Sequence, residues 1–280
     1  MTGTVSRDGG SPAATPVRAP RRPERSKLAM AALGVGPYLV SFAALFLTWH
    51  LVAVYGVQSV LFPPPTTVFA KAGVLIANGT LFDNIWASLQ RIATGFFLGS
   101  ALGIPIGLTI GSFRFARKLI EPWTEFLRFI PAVAMITISV IWFGIGEESK
   151  IFLIVYTTIF IVILNTAAGV ASIAPNKLRA AQSLGASKWQ LFALVALPAT
   201  VPFILTGMRL AMANSFTTIV AAEFVSAQFG LGVMLWNGRM FMLIDEIFVA
   251  LVALGMLGFT ADRIFRFGIY RFARRYSPVA

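Results

Sequence analysis

Two arginines in this sequence, Arg91 and Arg209, lie well inside long apolar stretches. A charge in such a stretch is energetically costly and usually faces protein or water. The two guanidinium groups are therefore candidates for attracting an anion along a pore. The alternatives are that their long side chains snorkel toward water, or that they form internal ion pairs, for example with Glu223 or Asp83.

More polar side chains follow Arg209 along the chain and end with a carboxylate. Groups of this kind either line a polar path or form hydrogen bonds between neighbouring helices. The sequence therefore predicts a solute pathway through apolar surroundings. Its candidate residues are Arg91, Arg209, Asn214, Ser215, Thr218 and Glu223.

The residues needed for conventional catalysis are scarce. There is no cysteine and only one histidine, His50, which excludes thiolate chemistry and leaves no second imidazole for a zinc site. A Gly-x4-Gly-Lys-Ser/Thr loop is also missing, so we expect no ATP, cofactor or metal on this chain and no catalytic residue. The carboxylate pair Glu147 and Glu148 falls in the short segment 144–149, which predicts solvated charges on a tight external turn.

The composition is that of a polytopic membrane protein. Of the 280 residues, 57% are hydrophobic and 12% are charged, against about 25% charged in a typical soluble domain. A soluble enzyme is nearly excluded on these grounds. The formal net charge of +12 in so apolar a chain indicates basic loops that orient it in a membrane, not nucleic-acid binding.

The predicted fold is an all-α membrane protein. A membrane-spanning helix needs roughly 20 mainly apolar residues, and six stretches qualify: 31–55, 85–111, 121–143, 150–172, 198–222 and 245–267. We divide the chain into a disordered, basic, proline-rich tail, a first transmembrane helix, a transmembrane domain and a basic C-terminal tail. Their predicted ranges are 1–27, 28–57, 58–270 and 271–280.

The distribution of basic residues predicts the orientation. With six spans and a cytoplasmic N-terminus, 18 of the 23 lysines and arginines fall on the cytoplasmic side. This asymmetry follows the positive-inside rule and places both termini in the cytoplasm.

The cytoplasmic link between the fourth and fifth spans, residues 175–198, carries an ordered series of helix signals. Asn176 can cap a short helix, and Gly185 can end it in the left-handed conformation. Ser187 and Gln190 have the spacing of a capping box that opens a second helix. The predicted product is a helix–glycine–helix elbow with small residues on its first arm, where a partner's groove could approach closely. The alternative is an ordinary surface linker.

The same residues resemble the loop of bacterial ABC-importer permeases that is written E-A-A-x3-G-x9-I-x-L-P. Ala180, Ala181 and Gly185 stand at the matching positions, as do Leu197 and Pro198. Further stretches are similar to sulfonate-, taurine- and nitrate-type permeases, and the resemblance covers roughly residues 60–270. Those stretches are 88–91, 127–151 and 205–210.

The resemblance implies a type I ABC importer permease fold with a coupling loop at 175–197. In that family the loop docks on a separate ATPase, and the implied coupling residues are Arg179, Ala180, Ala181, Leu184, Gly185, Ala186 and Ser187. Arg179 stands where the family has Glu, and Val195 replaces the usual Ile. A Glu at 179 would pair with Asn176 in a capping box and favour the helix dipole, whereas Arg does neither. We expect the cognate ATPase to carry a compensating acidic or neutral groove.

The implied function is that of a transport subunit and not of an enzyme. Its implied partners are an ATPase dimer that binds ATP and magnesium, a second permease copy, an external solute-binding protein and membrane lipid, in the inner membrane of a bacterium. The implied solute is a small anion such as a sulfonate, taurine, nitrate or an aromatic carboxylate. The alternatives are a stand-alone secondary transporter or channel, although no internal repeat is evident, and an intramembrane enzyme, which lacks a nucleophile–base pair.

Overall fold

The computed structural model of the protein describes residues 27–225 and 227–272, and every regular element within those ranges is helical. The α-helices are α1 (Lys27–Leu51), α2 (Pro65–Ala77), α3 (Thr80–Ser112), α4 (Arg114–Arg128), α5 (Met135–Phe143), α6 (Glu147–Ala171), α7 (Pro175–Ser183), α8 (Lys188–Gln190), α9 (Leu197–Glu223), α10 (Leu231–Met240) and α11 (Ile244–Phe272). Two further segments, Val52–Val57 and Leu191–Ala196, are π-helical. The predicted tails lie almost wholly outside the described residues.

The chain divides into two compact units, one ending at Trp49 and the other beginning at His50. The described part of the first unit is helical, and its Phe46 and Trp49 rings stack with centroids 6.1 Å apart. The second unit contains α2 to α11 and both sites considered below.

Five helical stretches of the described chain are long and apolar enough to cross a membrane. They are Gly36–Val57, Thr80–Ser112, Glu147–Ala171, Lys188–Glu223 and Ile244–Arg271. Each overlaps one of the predicted spans. The prediction of a single transmembrane helix at 121–143, by contrast, is wrong.

The break in that stretch has a local cause. Helix α4 ends at Arg128, and the turn before α5 contains Pro131. Proline has no N–H to donate and disfavours helical geometry at the residue before it, here Ile130. Two short helices with a non-helical turn between them therefore replace one long helix.

Helix α3 packs closely on α6 through a ladder of glycines at every fourth position. A methyl group at Gly99 would lie 2.7 Å from Thr158 Cβ, and one at Gly107 would lie 2.6 Å from Thr166 Cβ. In the same way, Gly95 packs against Ile154, Gly103 against Val162 and Gly111 against Val170. Small residues let two helix backbones approach closely, so the β-branched side chains of α6 fill the space that the glycines leave.

The glycine ladder also determines helix direction. Residue numbers rise together along α3 and α6, so the two helices are parallel, and residues 113–146 must return from the end of α3 to the start of α6. Helix α9 runs antiparallel to α6, because Gly207 packs on Asn165 while Ser215 lies 3.3 Å from Thr158. We call the end of these helices at which α6 begins the network end, after a network of charged side chains that is described below. The opposite end, where α7 lies, is called the elbow end.

Candidate functional site

The elbow, defined as residues 175–190, has the predicted turn at Gly185. This glycine has φ of +81° and terminates α7. Its N–H donates to the Gln182 carbonyl at 2.9 Å, and the N–H of Ala186 donates to the Ala181 carbonyl at 3.1 Å. These two bonds form a Schellman motif, which satisfies carbonyls that the helix end leaves open. The prediction that Gly185 ends the first arm in the left-handed conformation is confirmed.

The second arm begins with the predicted capping box. The Gln190 side-chain oxygen accepts from the Ser187 N–H at 2.8 Å, and the Ser187 hydroxyl accepts from the Gln190 N–H at 3.3 Å. Both ends of the turn between the arms are therefore held by hydrogen bonds within the elbow itself.

Replacing Ser187 with alanine is expected to loosen the start of the second arm by about 1 kcal/mol, the usual cost of losing such a cap. Hydrogen exchange of the Gln190 and Leu191 amides would measure this as roughly fivefold faster exchange. Ser183→Ala is the control, because the Ser183 hydroxyl donates only to the Arg179 carbonyl within α7. Equal acceleration in both variants would contradict the capping role.

The predicted cap at the start of α7 is wrong. The N-cap residue is Ala174, and Pro175 occupies the first helical turn, where its fixed φ suits the helix and its missing N–H costs nothing. Asn176 therefore lies inside the helix and does not cap it. Arg179 consequently does not occupy the third helical position, so a Glu there would not complete a capping box with Asn176.

The elbow presents its residues outward. Helix α7 has no buried residue, and Leu184 and Trp189 are 89% and 73% exposed. Of the residues predicted to contact the ATPase, Ala181 and Ala186 are half-buried. The others, Arg179, Ala180, Leu184, Gly185 and Ser187, are exposed.

At the network end, Arg91 and Glu223 form a buried ion pair. The Arg91 Nη1 group donates to Glu223 Oε1 at 2.7 Å, and the two side chains are 7% and 0% exposed. The ion-pair alternative for Arg91 is therefore the arrangement found, and its partner is Glu223, not Asp83. A buried charge is tolerated when it is paired and hydrogen-bonded.

The Glu223 carboxylate also holds the start of α10. It accepts from the Gly232 N–H at 2.8 Å and from the Ser88 hydroxyl at 2.8 Å. Ser88 Oγ in turn accepts from the Leu231 N–H, and Asn84 Oδ1 accepts from the Gly230 N–H. These bonds satisfy the open N–H groups of a helix N-terminus and favour a negative charge there.

Glu147 and Lys150 complete this cluster, and sequence reasoning missed their role. Both oxygens of Glu147 accept from Arg91, at 2.5 Å from Nε and 2.8 Å from Nη2, and Lys150 Nζ lies 3.1 Å from Oε1. Glu147 is thus not simply a solvated charge, although its side chain is 55% exposed. The contributing side chains, Asn84, Ser88, Arg91, Glu147, Lys150 and Glu223, are called the charge network below.

A sequence signal for part of this arrangement was present. Asn84, Ser88 and Arg91 are spaced at i, i+4 and i+7, which places them on one face of α3. No local pattern links them to Glu147 or Glu223, because those residues come from other helices.

Arg209 is found in a separate and more exposed ion pair. Its Nε lies 2.6 Å from Asp262 Oδ1, and Arg266 binds the other oxygen of Asp262 at 2.9 Å. The Arg209 side chain is 42% exposed. This pair joins α9 to α11 and is not part of the charge network.

The remaining predicted pathway residues separate into two groups. Ser215 is fully buried, and its hydroxyl donates to the Ala211 carbonyl within α9 and lies 3.3 Å from the Thr158 hydroxyl of α6. Only the second contact joins two helices. Asn214 and Thr218, by contrast, line a cavity of about 400 Å³ together with Arg128 and Tyr156. The non-helical turn between α4 and α5 forms one wall of this cavity.

Within the described ranges, no group of three or more histidine, aspartate or glutamate side chains is arranged to hold a metal ion.

Comparison with known proteins shows clear similarity to one family. The profile of the binding-protein-dependent transport system inner membrane component matches residues 103–277. A probable ABC transporter permease of Brucella melitensis is 41% identical over 82% of this chain and 93% of its own length. The taurine transport system permease TauC of Escherichia coli K12 is 36% identical, covering 85% and 87%. The nitrate import permease NrtB of Synechocystis is 34% identical, covering 81% and 86%.

The fold is also that of a solved transporter chain. A chain from inward-facing structures of the MetNI methionine ABC transporter superposes with a TM-score of 0.61 at 19% identity, covering 71% of this chain and 96% of the other. At this identity the match concerns the fold alone.

Proposed function

The chain belongs to the family of binding-protein-dependent transport system inner membrane components, and on this basis we propose that it forms the solute pathway of an ATP-driven importer. The family consists of membrane transport subunits and not of enzymes, so ATP hydrolysis is assigned to a separate partner chain that binds ATP and magnesium. The relatives named for taurine and nitrate support a small anion as the solute.

The observation that carries this proposal is the exposed elbow. Its turn is made rigid by a Schellman motif and a capping box, while Leu184 and Trp189 offer apolar surface. A short, outward-facing helix with small and apolar side chains suits insertion into a groove on another protein. We assign this groove to the ATPase, whose closure would move the elbow and thereby open the pathway at the other end.

For the topology we propose six crossings with both termini in the cytoplasm. Since α3 and α6 are parallel, α4 and α5 together would make the third crossing as a broken pair. This restores an even number of crossings. The concentration of basic residues at the elbow end supports a cytoplasmic position for that end.

A complete importer would contain further chains. We propose a second copy of this permease, an ATPase dimer and an external solute-binding protein, all at the inner membrane of a bacterium. The cavity beside Asn214 and Thr218 is the proposed mid-membrane part of the pathway. A stand-alone transporter or channel, the competing function, would have no use for a docking elbow.

Gly185→Val tests the coupling role. An L-residue in the left-handed region is strained by about 1–2 kcal/mol, so the elbow should distort, and we expect at least a tenfold loss of co-purified ATPase and of solute uptake. The matched control is Gly79→Val, because Gly79 has φ of +80° and open space around it, as Gly185 does, but lies between α2 and α3. Full ATPase binding by Gly185→Val, or equal loss in the control, would refute docking through the elbow.

A further inference from the structure

We propose that Arg91 and Lys150 form a binding site for a small oxyanion, a carboxylate or a sulfonate, which Glu147 occupies from within the chain in this conformation. The donors converge on one point. Arg91 Nε and Nη2 donate to different oxygens of the Glu147 carboxylate at 2.5 and 2.8 Å, and Lys150 Nζ lies 3.1 Å from one of them. A planar guanidinium fork with an ammonium group beside it is well suited to bind an oxyanion.

The two cations belong to the protein interior, whereas Glu147 does not. The Arg91 and Lys150 side chains are 7% and 4% exposed, and that of Glu147 is 55% exposed. The carboxylate therefore covers the site from its open side. An incoming anion would reach the position of Glu147 without entering the packed core.

The site would keep its shape if Glu147 moved away. The third donor of Arg91, Nη1, is held by Glu223 Oε1 at 2.7 Å and by the Phe229 carbonyl at 2.6 Å. Glu223 is itself fixed by Ser88 and by the Gly232 N–H. The guanidinium group is thus positioned from the side opposite Glu147, so a vacated site remains preorganised.

Glu147 follows a turn that contains two glycines. It begins α6, directly after Gly144-Ile145-Gly146, and Gly144 has φ of +78° with nothing near its missing side chain. Glycines on both sides of Ile145 give this turn the conformational freedom to swing the carboxylate outward.

Charge balance requires an exchange and not a simple release. Two cations, Arg91 and Lys150, face two carboxylates, Glu147 and Glu223. Departure of Glu147 alone would leave one buried positive charge uncompensated, which is strongly unfavourable. An oxyanion that enters as Glu147 leaves keeps the network neutral. We assign this oxyanion to the acid group of the transported solute. This assignment rests on the proposed function, whereas the anion site itself does not.

The test uses the purified full-length protein and two alanine variants. Glu147→Ala should empty the site, so acetate or methanesulfonate should raise its thermal unfolding midpoint by roughly 3 °C at about ten times the dissociation constant, relative to chloride at equal ionic strength. Glu148→Ala is the control, because it removes the adjacent exposed carboxylate, for which the described residues show no ion pair. The control and the wild-type protein should show a much smaller rise, because Glu147 competes with the added anion for the site in both.

The proposal is overturned if the anion raises the thermal midpoints of Glu147→Ala and Glu148→Ala by the same amount. It is also overturned if neither midpoint changes. If Glu147→Ala does not accumulate as folded protein, Glu147→Gln replaces it, and its midpoint should rise with acetate far more than that of Glu148→Gln. This measurement needs no ATPase. Its outcome therefore does not depend on the outcome of the Gly185→Val experiment. A positive anion response together with normal ATPase binding by Gly185→Val would keep the anion site and refute docking through the elbow.

Discussion

Arg91→Met is expected to lower the stability of the folded protein by about 3–5 kcal/mol, enough to abolish most of the monodisperse protein recovered in detergent. The substitution leaves the Glu223 carboxylate, whose side chain is 0% exposed, without its cationic partner. Two neutral donors remain, the Ser88 hydroxyl and the Gly232 N–H. They cannot replace the lost charge compensation in a buried environment.

Arg209→Met is the matched control for Arg91→Met. Both arginines lie in helices long and apolar enough to cross a membrane, and each binds a carboxylate at 2.6–2.7 Å. The Arg209 and Asp262 side chains, however, are 42% and 29% exposed, so solvent screens their attraction and the loss should be about 0–1 kcal/mol. Thermal unfolding, monitored by size-exclusion chromatography, measures the loss of stability in both variants. Similar losses in the two variants would show that burial does not determine the effect.

A double variant adds a second check on the buried pair. Glu223→Gln in the Arg91→Met background removes the uncompensated carboxylate charge while keeping an acceptor for Ser88 and Gly232. Recovery of part of the lost stability is therefore expected. No recovery would indicate that Arg91 acts through packing alone.

Gly107→Ala is expected to destabilise the protein by about 1–3 kcal/mol, as overpacking does elsewhere. The added methyl group would lie 2.6 Å from Thr166 Cβ and 2.7 Å from the Ile163 carbonyl oxygen. The carbonyl belongs to the α6 backbone and cannot rotate away, so α3 and α6 must separate. That separation would also weaken the contacts of the neighbouring glycines.

Gly255→Ala is the control, and it is expected to leave the stability of the folded protein unchanged or to increase it. Gly255 is an exposed residue inside α11 with nothing within 4 Å of its missing side chain. Alanine favours helix by up to about 1 kcal/mol relative to glycine, so this variant should be neutral or more stable. Thermal midpoints in one detergent compare the two directly. Unchanged stability of Gly107→Ala would mean that the helices can separate at little cost.

The elbow could be predicted from sequence because its signals are local. Gly185, Ser187 and Gln190 act on backbone groups within a few residues of themselves, so their spacing already describes the turn. The same method failed at Asn176, because Pro175 competes for the start of the same helix and its fixed φ prevails. Where two local signals overlap, sequence alone does not rank them.

The charge network could be anticipated only in part. Arg91 and Glu223 could be proposed as a pair because each is a costly charge in an apolar stretch. Glu147 and Lys150 carried no such signal, since they lie at the start of a helix where exposed charges are common. Lys150 bonds to Glu147 within α6, but the partner of Glu147, Arg91, comes from α3, 56 residues earlier. That proximity follows from the glycine ladder between α3 and α6.

By itself, the sequence determined the all-helical class, five helical stretches long and apolar enough to cross a membrane, and the turn and capping box of the elbow. Each depends on composition, hydrophobic length or short-range hydrogen bonds, all of which act along the chain. The tertiary structure alone decided that α3 and α6 are parallel and that Arg91 meets Glu147 and Glu223. These features depend on which helix faces come together, and that choice is made by packing between residues far apart in the chain.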